Sequence, residues 1–179
     1  ADTPWLLPVK AAGNDRNDGN SPATAWRSLE RANREVFKPG DRLLFKAGTR
    51  YVGQLTPQGS GTAEAPIRID QYGDGGLPRI DGEGKSLDTL LLRNVGFWEV
   101  RNLEITNKGP EREAWRTGVR IVAEDFGTMR HIHLSRLFVH DVNGDLRKSH
   151  EGCGIYFETR GRKTPSHFDD LLIENCKVV

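Results

Sequence analysis

Along the second half of the chain, one hydrophobic pattern returns three times. "VRNLEI" (100–105), "LSRLFV" (134–139) and "IENCKV" (173–178) each read apolar, polar, polar, apolar, any, apolar. Their core positions Leu103, Leu137 and Cys176 fall 34 and 39 residues apart. Between them a second strand type recurs, "TGVRI" and "CGIYF", with Gly118 and Gly154 separated by 36 residues. Two strand types in a fixed order, with no tight hairpin turn between them, predict an all-β parallel solenoid with one rung per repeat. The loops "NKGPEREAWRT", "NGDLRKSHEGC" and "TRGRKTPSHF" absorb the uneven period, because insertions project from a rung without disturbing it.

Before Gly40 the period is helical. Leu29, Ala32 and Val36 share one face and predict a helix over about 25–37, capped by Thr24 or Ser28 and stopped by Pro39-Gly40. Laid across the first rung, such a helix covers unpaired backbone and apolar side chains. The expectation is one domain, 1–179, with a cap at 1–40 and rungs over 41–179. "ENCKVV" stops in mid-strand, so further rungs or a partner chain are expected over the C-terminal end.

Composition narrows the partners. The net charge is +1, with both signs interspersed, which points to no nucleic acid, and no apolar run is long enough to span a bilayer. The start "ADTPWLLPVKAAGN" is that of a chain matured by signal cleavage or begun by cloning. Cys153 and Cys176 are too few for a disulfide framework, and Cys176, at a core position, is expected as a free buried thiol.

Two stretches raise the question of metals. "HIHLSRLFVHDV" carries His131, His133 and the pair His140-Asp141, yet Ile132 and Leu134 alternate with the first two histidines, as in a strand. On the template His133 aligns with Glu99 and Leu172, and His131 with Phe97 and Asp170. Ligands converge only as His133 with Glu99 or His131 with Asp170, so the row is read as outward histidines and no metal ligand is assigned. Asp141 is expected to satisfy turn amides. "NDRNDG" has the carboxylates of a calcium loop, but aligning Gly19 puts Arg16 at a ligand position and Ala25 where the closing Glu belongs, which suits a solvated turn.

With Val119, Ile121, Ile155 and Phe157 inward, Arg120 stacks on Tyr156 and Val122 on Glu158, roughly 4.8 Å apart and facing outward. The loops "EREAWRT" and "RKSHEGC" precede these strands.

The order "NDGNSPATAWRSLERAN", "KPGDRLLFKAGTRYVGQLTPQGSGTAEAPIRIDQYG", "LPRIDGEG" resembles the N-terminal part of secreted bacterial proteins of the pectate-lyase-like superfamily, including the chondroitinase B and alginate lyase branch. The resemblance implies a right-handed parallel β-helix, a secreted or periplasmic location and a polysaccharide or oligosaccharide substrate. That branch pairs a Lys and an Arg on neighbouring rungs with calcium held by acidic side chains. No stretch here matches that constellation residue by residue, so calcium and those roles are not carried over. In the resembling enzymes the loop before the Gly-apolar strand borders the sugar groove. Placed there, Trp115 is a candidate stacking platform, and Arg116, Arg120 and Lys148 are candidate carboxylate or sulfate ligands. His150, Glu151 and Tyr156 are candidate proton-transfer groups, and Glu158 a candidate acid paired with Glu151. Outward Arg, Tyr and Glu are equally common as cross-strand pairs. The surplus of Arg, Lys, His and Tyr over paired acids inclines the reading towards β-elimination on a uronate-containing glycan. A glycoside hydrolase of the same fold and a non-catalytic carbohydrate-binding or structural β-helix are the alternatives.

Overall fold

The computed structural model describes residues 6–10, 12–147 and 152–179. Among them, every strand pairing is parallel. A six-stranded sheet runs Leu6–Val9, Arg42–Lys46, Ile67–Tyr72, Trp98–Arg101, Thr128–Ser135, His167–Glu174. A five-stranded sheet runs Arg50–Val52, Arg79–Asp81, Glu104–Asn107, Phe138–Val142, Lys177–Val178. A three-stranded sheet holds Asp88–Arg93, Thr117–Glu124 and Cys153–Arg160, and a short pair joins Val36–Phe37 to Gln58–Gly59. From Ile67 onward the chain visits the six-, five- and three-stranded sheets in that order and then repeats the cycle. No helix among the described residues is long and apolar enough to cross a membrane.

Parallel register turns the sequence repeat into columns. Leu43, Ile69, Val100, Leu134 and Ile173 pair in succession on the six-stranded sheet, and Tyr51, Ile80, Ile105, Val139 and Val178 on the five-stranded one. Leu90, Val119 and Ile155 do so on the third. The inward members join one hydrophobic cluster with Trp26, Phe37 and Trp98. Each fully buried aliphatic side chain contributes about 1.5–3 kcal/mol. Cys176 packs against this cluster half-buried, and both cysteines are free thiols.

The corners explain the two polar residues of the repeat. Asn102, Arg136 and Asn175 each sit at the same corner with φ between 51° and 54°, a left-handed conformation that turns the chain from one sheet to the next. Asparagine tolerates it readily, and Arg136 is held there by its Nε, which donates to Asn102 Oδ1 at 2.8 Å. Gly118 and Gly154 answer a different need. A Cβ on Gly118 would lie 2.6 Å from Val139 Cγ1 and 2.8 Å from the Gly154 carbonyl oxygen, and one on Gly154 would lie 2.3 Å from Val178 Cγ1. The glycines let the three-stranded sheet close onto the valine column of the five-stranded one.

The N-terminal segment departs from expectation. Its helix covers only Leu29–Arg34, capped by Ser28, whose hydroxyl oxygen accepts from the Arg31 amide at 3.1 Å. Leu29 and Ala32 are buried as expected, but Val36 is exposed, because Val36–Phe37 leaves the helix to pair with Gln58–Gly59 and turns Phe37 inward instead. A six-residue helix cannot be the long cap that the sequence period suggested.

Replacing Gly118 with Ala forces its Cβ against Val139 and lowers the unfolding free energy by about 1–3 kcal/mol in urea titration. Adding Val139→Ala makes the combined loss smaller than the sum of the two single losses.

Candidate functional site

The three-stranded sheet carries the residues singled out from sequence. Arg120 pairs in register with Tyr156, and Val122 with Glu158. The face is drier than an outward strand face, for Arg120 and Val122 are both buried. Arg120 Nε lies 2.8 Å from Asp88 Oδ1, the same oxygen that accepts the Thr117 hydroxyl at 2.7 Å. Its Nη1 lies 3.5 Å from Glu158 Oε2, and its guanidinium carbon 5.4 Å from the centre of the Tyr156 ring. Its Nη2 donates to the Trp115 carbonyl oxygen at 2.7 Å. Asp88 is buried too, and its charge is stable out of water only because Arg120 and Thr117 answer it.

That arrangement fixes Trp115. Its φ of +64° is a conformation that bulky residues rarely adopt, and the Arg120 fork grips its carbonyl while 40% of the residue stays exposed. A left-handed backbone held through its carbonyl by Arg120 thus carries a partly exposed tryptophan beside this face. The ion pair with Asp88 takes Arg120 out of service as a free substrate ligand.

Arg116 is corrected more sharply. It is 4% exposed and lies under the loops, where Nη1 donates to the Glu111 carbonyl at 2.6 Å and to Asn143 Oδ1 at 2.7 Å, and Nη2 to the Gly84 carbonyl at 3.3 Å. In the described structure it ties Glu111, Asn143 and Gly84 together. Glu158 is about one-fifth exposed and lies between Arg120 and Arg160, with Arg160 Nη1 3.6 Å from its Oε1. Lys148, His150 and Glu151 lie outside the described residues.

Sequence reading missed Asp88, Thr117 and two asparagines that hold the loops. Asn107 Oδ1 accepts from the Gly84 amide at 3.0 Å, while its Nδ2 donates to the carbonyls of Ser86, Leu87 and Thr117. Asn143 Oδ1 accepts from the Gly109 amide at 2.9 Å and from Arg116, while its Nδ2 donates to the Gly109 carbonyl at 2.8 Å. No common spacing marked them: Asn107 follows the last apolar residue of its repeat, Ile105, by two residues, and Asn143 follows Val139 by four.

A second polar row lies on the six-stranded sheet. Arg68 Nε donates to Glu99 Oε2 at 2.9 Å, and Arg101 contacts the same oxygen. Glu99 Oε1 faces His131 Nε2 at 3.3 Å. Asp170 joins His131 Nδ1 at 2.6 Å through Oδ2 and His133 Nε2 at 2.8 Å through Oδ1. The two imidazole centres are 3.8 Å apart. Phe97, His131 and Asp170 share a stacked left-handed kink, φ 59°, 53° and 62°. Burial pushes the Glu99 carboxyl up, but hydrogen bonds from Arg68 and His131 and the charge of Arg101 outweigh it and leave it below its ordinary range. Hydrogen bonds from His133 and His131 likewise lower Asp170.

On the five-stranded sheet, Glu104 stands between Arg79 at 2.7 Å and His140 at 2.8 Å; burial raises its carboxyl, and the bonds from His140 and Arg79 bring it below the ordinary range. Asp141, expected on turn amides, instead pairs with His140 Nδ1 at 2.9 Å, because its own backbone takes the left-handed turn (φ 50°) and returns the carboxylate to the row. In "NDRNDG" the carboxylates serve amides: Asp15 Oδ1 accepts from Arg27 and Ser28, and Asp18 Oδ1 from Asn20.

The chain is similar in sequence to parts of two carbohydrate-cleaving enzymes and in fold to part of a solved one. No protein-family model matches the chain. It is 30% identical to the lacto-N-biosidase of Bifidobacterium longum subsp. longum over 234 aligned positions, covering 94% of this chain and 15% of that protein. It is 42% identical over 107 positions to α-1,3-galactosidase A of Akkermansia muciniphila, covering 54% of this chain and 18% of that protein. The crystal structure of a GH136 lacto-N-biosidase from Eubacterium ramulus matches 96% of this chain with a TM-score of 0.80 and 28% identity. The chain spans 34% of that structure. These relatives are glycoside hydrolases, so the resemblance to the pectate-lyase-like superfamily and its lyase branch is overturned. The residues that carried it encode strand spacing and turns, which do not depend on the reaction.

Two outcomes follow from the charge rows. Arg120→Met leaves Asp88 buried with only Thr117 and costs about 3–5 kcal/mol in urea unfolding, whereas Arg160→Met, on an exposed pair, costs under about 1 kcal/mol. Glu99, Glu104 and Asp170 bind protons more weakly folded than unfolded. Their stabilisation is therefore complete above the ordinary carboxylate range and lost as pH falls through the lowered values. The melting temperature attributable to them holds from neutrality to about pH 5 and declines below about pH 4. Replacing Glu99 with Gln reduces that decline.

Proposed function

We propose that this chain is part of a secreted or periplasmic glycoside hydrolase acting on oligosaccharides of the kind cleaved by lacto-N-biosidases and α-1,3-galactosidases, and that the three-stranded face contacts the sugar. One observation carries the choice of hydrolysis over elimination. Each arginine on the described strands of this sheet is committed: Arg93 to Glu124, Arg120 to Asp88 and Glu158, Arg160 to Glu124 and Glu158. A uronate lyase needs a cation available to the sugar carboxylate, and the described strands of this face spend their arginines on their own acids. What it offers instead is the Trp115 ring and Tyr156, apolar surfaces suited to the flat side of a neutral sugar.

Asp88 and Glu158 both contact one guanidinium, so they are no farther apart than the roughly 9.5 Å limit for paired glycosidase carboxyls. Arg120 fills the space between them, where the glycosidic oxygen would have to sit. They therefore brace the platform, and the hydrolytic acid and base come from other carboxyl groups. The three sheets form the faces of one closed solenoid, a reading supported by the fixed cyclic order of the strands and the single core they share. Leu171, Leu172 and Ile173 on the edge strand are exposed, and a further parallel strand or partner chain covers them.

The test incubates the protein with α-1,3-galactosides, oligosaccharide substrates of lacto-N-biosidases and uronate polysaccharides, following new reducing ends, the ultraviolet absorbance of unsaturated uronate, and binding by calorimetry. Reducing ends or binding with the first two classes, without absorbance, is expected. Absorbance with the third overturns hydrolysis. Trp115→Ala weakens sugar binding by about 0.5–1.5 kcal/mol if the ring is the platform, as stacked aromatic contacts do; unchanged binding removes Trp115 from the site.

A further inference from the structure

We propose that Glu99, His131 and His133 form a binding site for a divalent transition-metal ion of the zinc class on the six-stranded sheet, with Asp170 orienting the imidazoles. This goes beyond the glycosidase reading and does not depend on it.

One ligand atom from each of the three residues lies within 4.8 Å of the others. Tetrahedral zinc with ligands at roughly 2.0–2.2 Å needs donors roughly 3.3–3.6 Å apart, so small side-chain rotations close the set. The backbone that places them is rigid: Glu99 and His133 face each other in parallel register, and His131 precedes by two residues on the same side. Glu99 is buried, and Arg68 and Arg101 occupy its Oε2, which leaves Oε1 pointing at His131 Nε2.

Asp170 supplies the second layer. Its Oδ2 takes His131 Nδ1, the arrangement that fixes an imidazole with Nε2 as the metal-facing atom. Its other oxygen takes His133 Nε2, so one carboxylate sets the angle of both rings, and Phe97 stacks on the outer side of His131 at 6.0 Å. Two imidazoles and one carboxylate suit zinc, nickel or copper, whereas calcium and magnesium prefer all-oxygen sets. Both histidine side chains keep about a quarter of their surface exposed, which provides an entry path and room for a water ligand. The competing account is a metal-free hydrogen-bonded row, in which Arg68, Arg101 and His131 answer Glu99.

The decisive measurement titrates chelator-stripped protein with zinc chloride at neutral pH by calorimetry and follows the melting temperature in parallel. One ion per chain is expected, together with a zinc-dependent rise in melting temperature that a chelator reverses. His131→Ala and His133→Ala each weaken uptake at least about tenfold, Asp170→Asn does so by about ten- to hundredfold, and His140→Ala on the other sheet leaves it unchanged. No uptake, or uptake equal in the histidine variants, overturns the site. If an alanine variant melts early on its own, His133→Gln and the visible spectrum of the cobalt-loaded unsubstituted protein decide: absence of nitrogen- and oxygen-ligand bands overturns it as well.

Discussion

Backbone hydrogen bonding between parallel strands about one repeat apart is the constraint from which the rest follows. A parallel pair cannot be closed by a two-residue hairpin; the chain must travel and return. From Ile67 onward the return path consists of strands in the other two sheets, so each excursion is itself paired. Like positions then stack, and any outward side chain finds its partners in the neighbouring repeats. Arg68 meets Glu99 31 residues on, Asp88 meets Thr117 29 residues on, and Glu104 meets His140 36 residues on. Local neighbours add to these rows, as Arg101 does on Glu99 and Asp141 on His140, but the rows are built across repeats. The chemistry of a face is a property of the column.

The columns differ in how much water they keep, and that decides what each can do. Arg50, with Asp81 and Glu83, is half exposed, and pairs of that kind contribute little because solvent competes for both charges. Arg120 and Asp88 lie under the loops that Arg116, Asn107 and Asn143 tie down, so their pairing is enforced by desolvation. The same closure that makes this pair strong removes it from the reach of a substrate and transmits its grip to the Trp115 carbonyl. The histidine row lies between these limits. It is anchored by a buried carboxylate at one end and open to solvent at Asp170 on the edge strand.

Much of the fold was legible because a stacked architecture writes its period into the chain. Leu103, Leu137 and Cys176 mark one corner, and the two glycines before the apolar pairs mark a strand that must pass close to valines. The pairing of Arg120 with Tyr156, and the convergence of His131 with Asp170, were legible for the same reason. The helix was not, because Leu29, Ala32 and Val36 satisfy a helical period equally well when the last of them begins a strand with Phe37 inward. Arg116 was not, because its burial depends on Glu111, Asn143 and Gly84 meeting over it, and loop paths leave no periodic trace.

The surplus of cationic residues is where composition misled most. A tally of Arg, Lys, His and Tyr treats each as available, and on that basis the face favours an acidic substrate. Register shows otherwise. Acids that neutralise Arg93, Arg120 and Arg160 sit about one repeat away on paired strands, where a linear reading does not count them against the arginines. Once they are counted, the arginines on the described strands of this face are balanced by its own acids. Faces of stacked parallel sheets should accordingly be read across repeats, since much of the charge and its neutralisation is separated by about the same number of residues as the paired strands themselves.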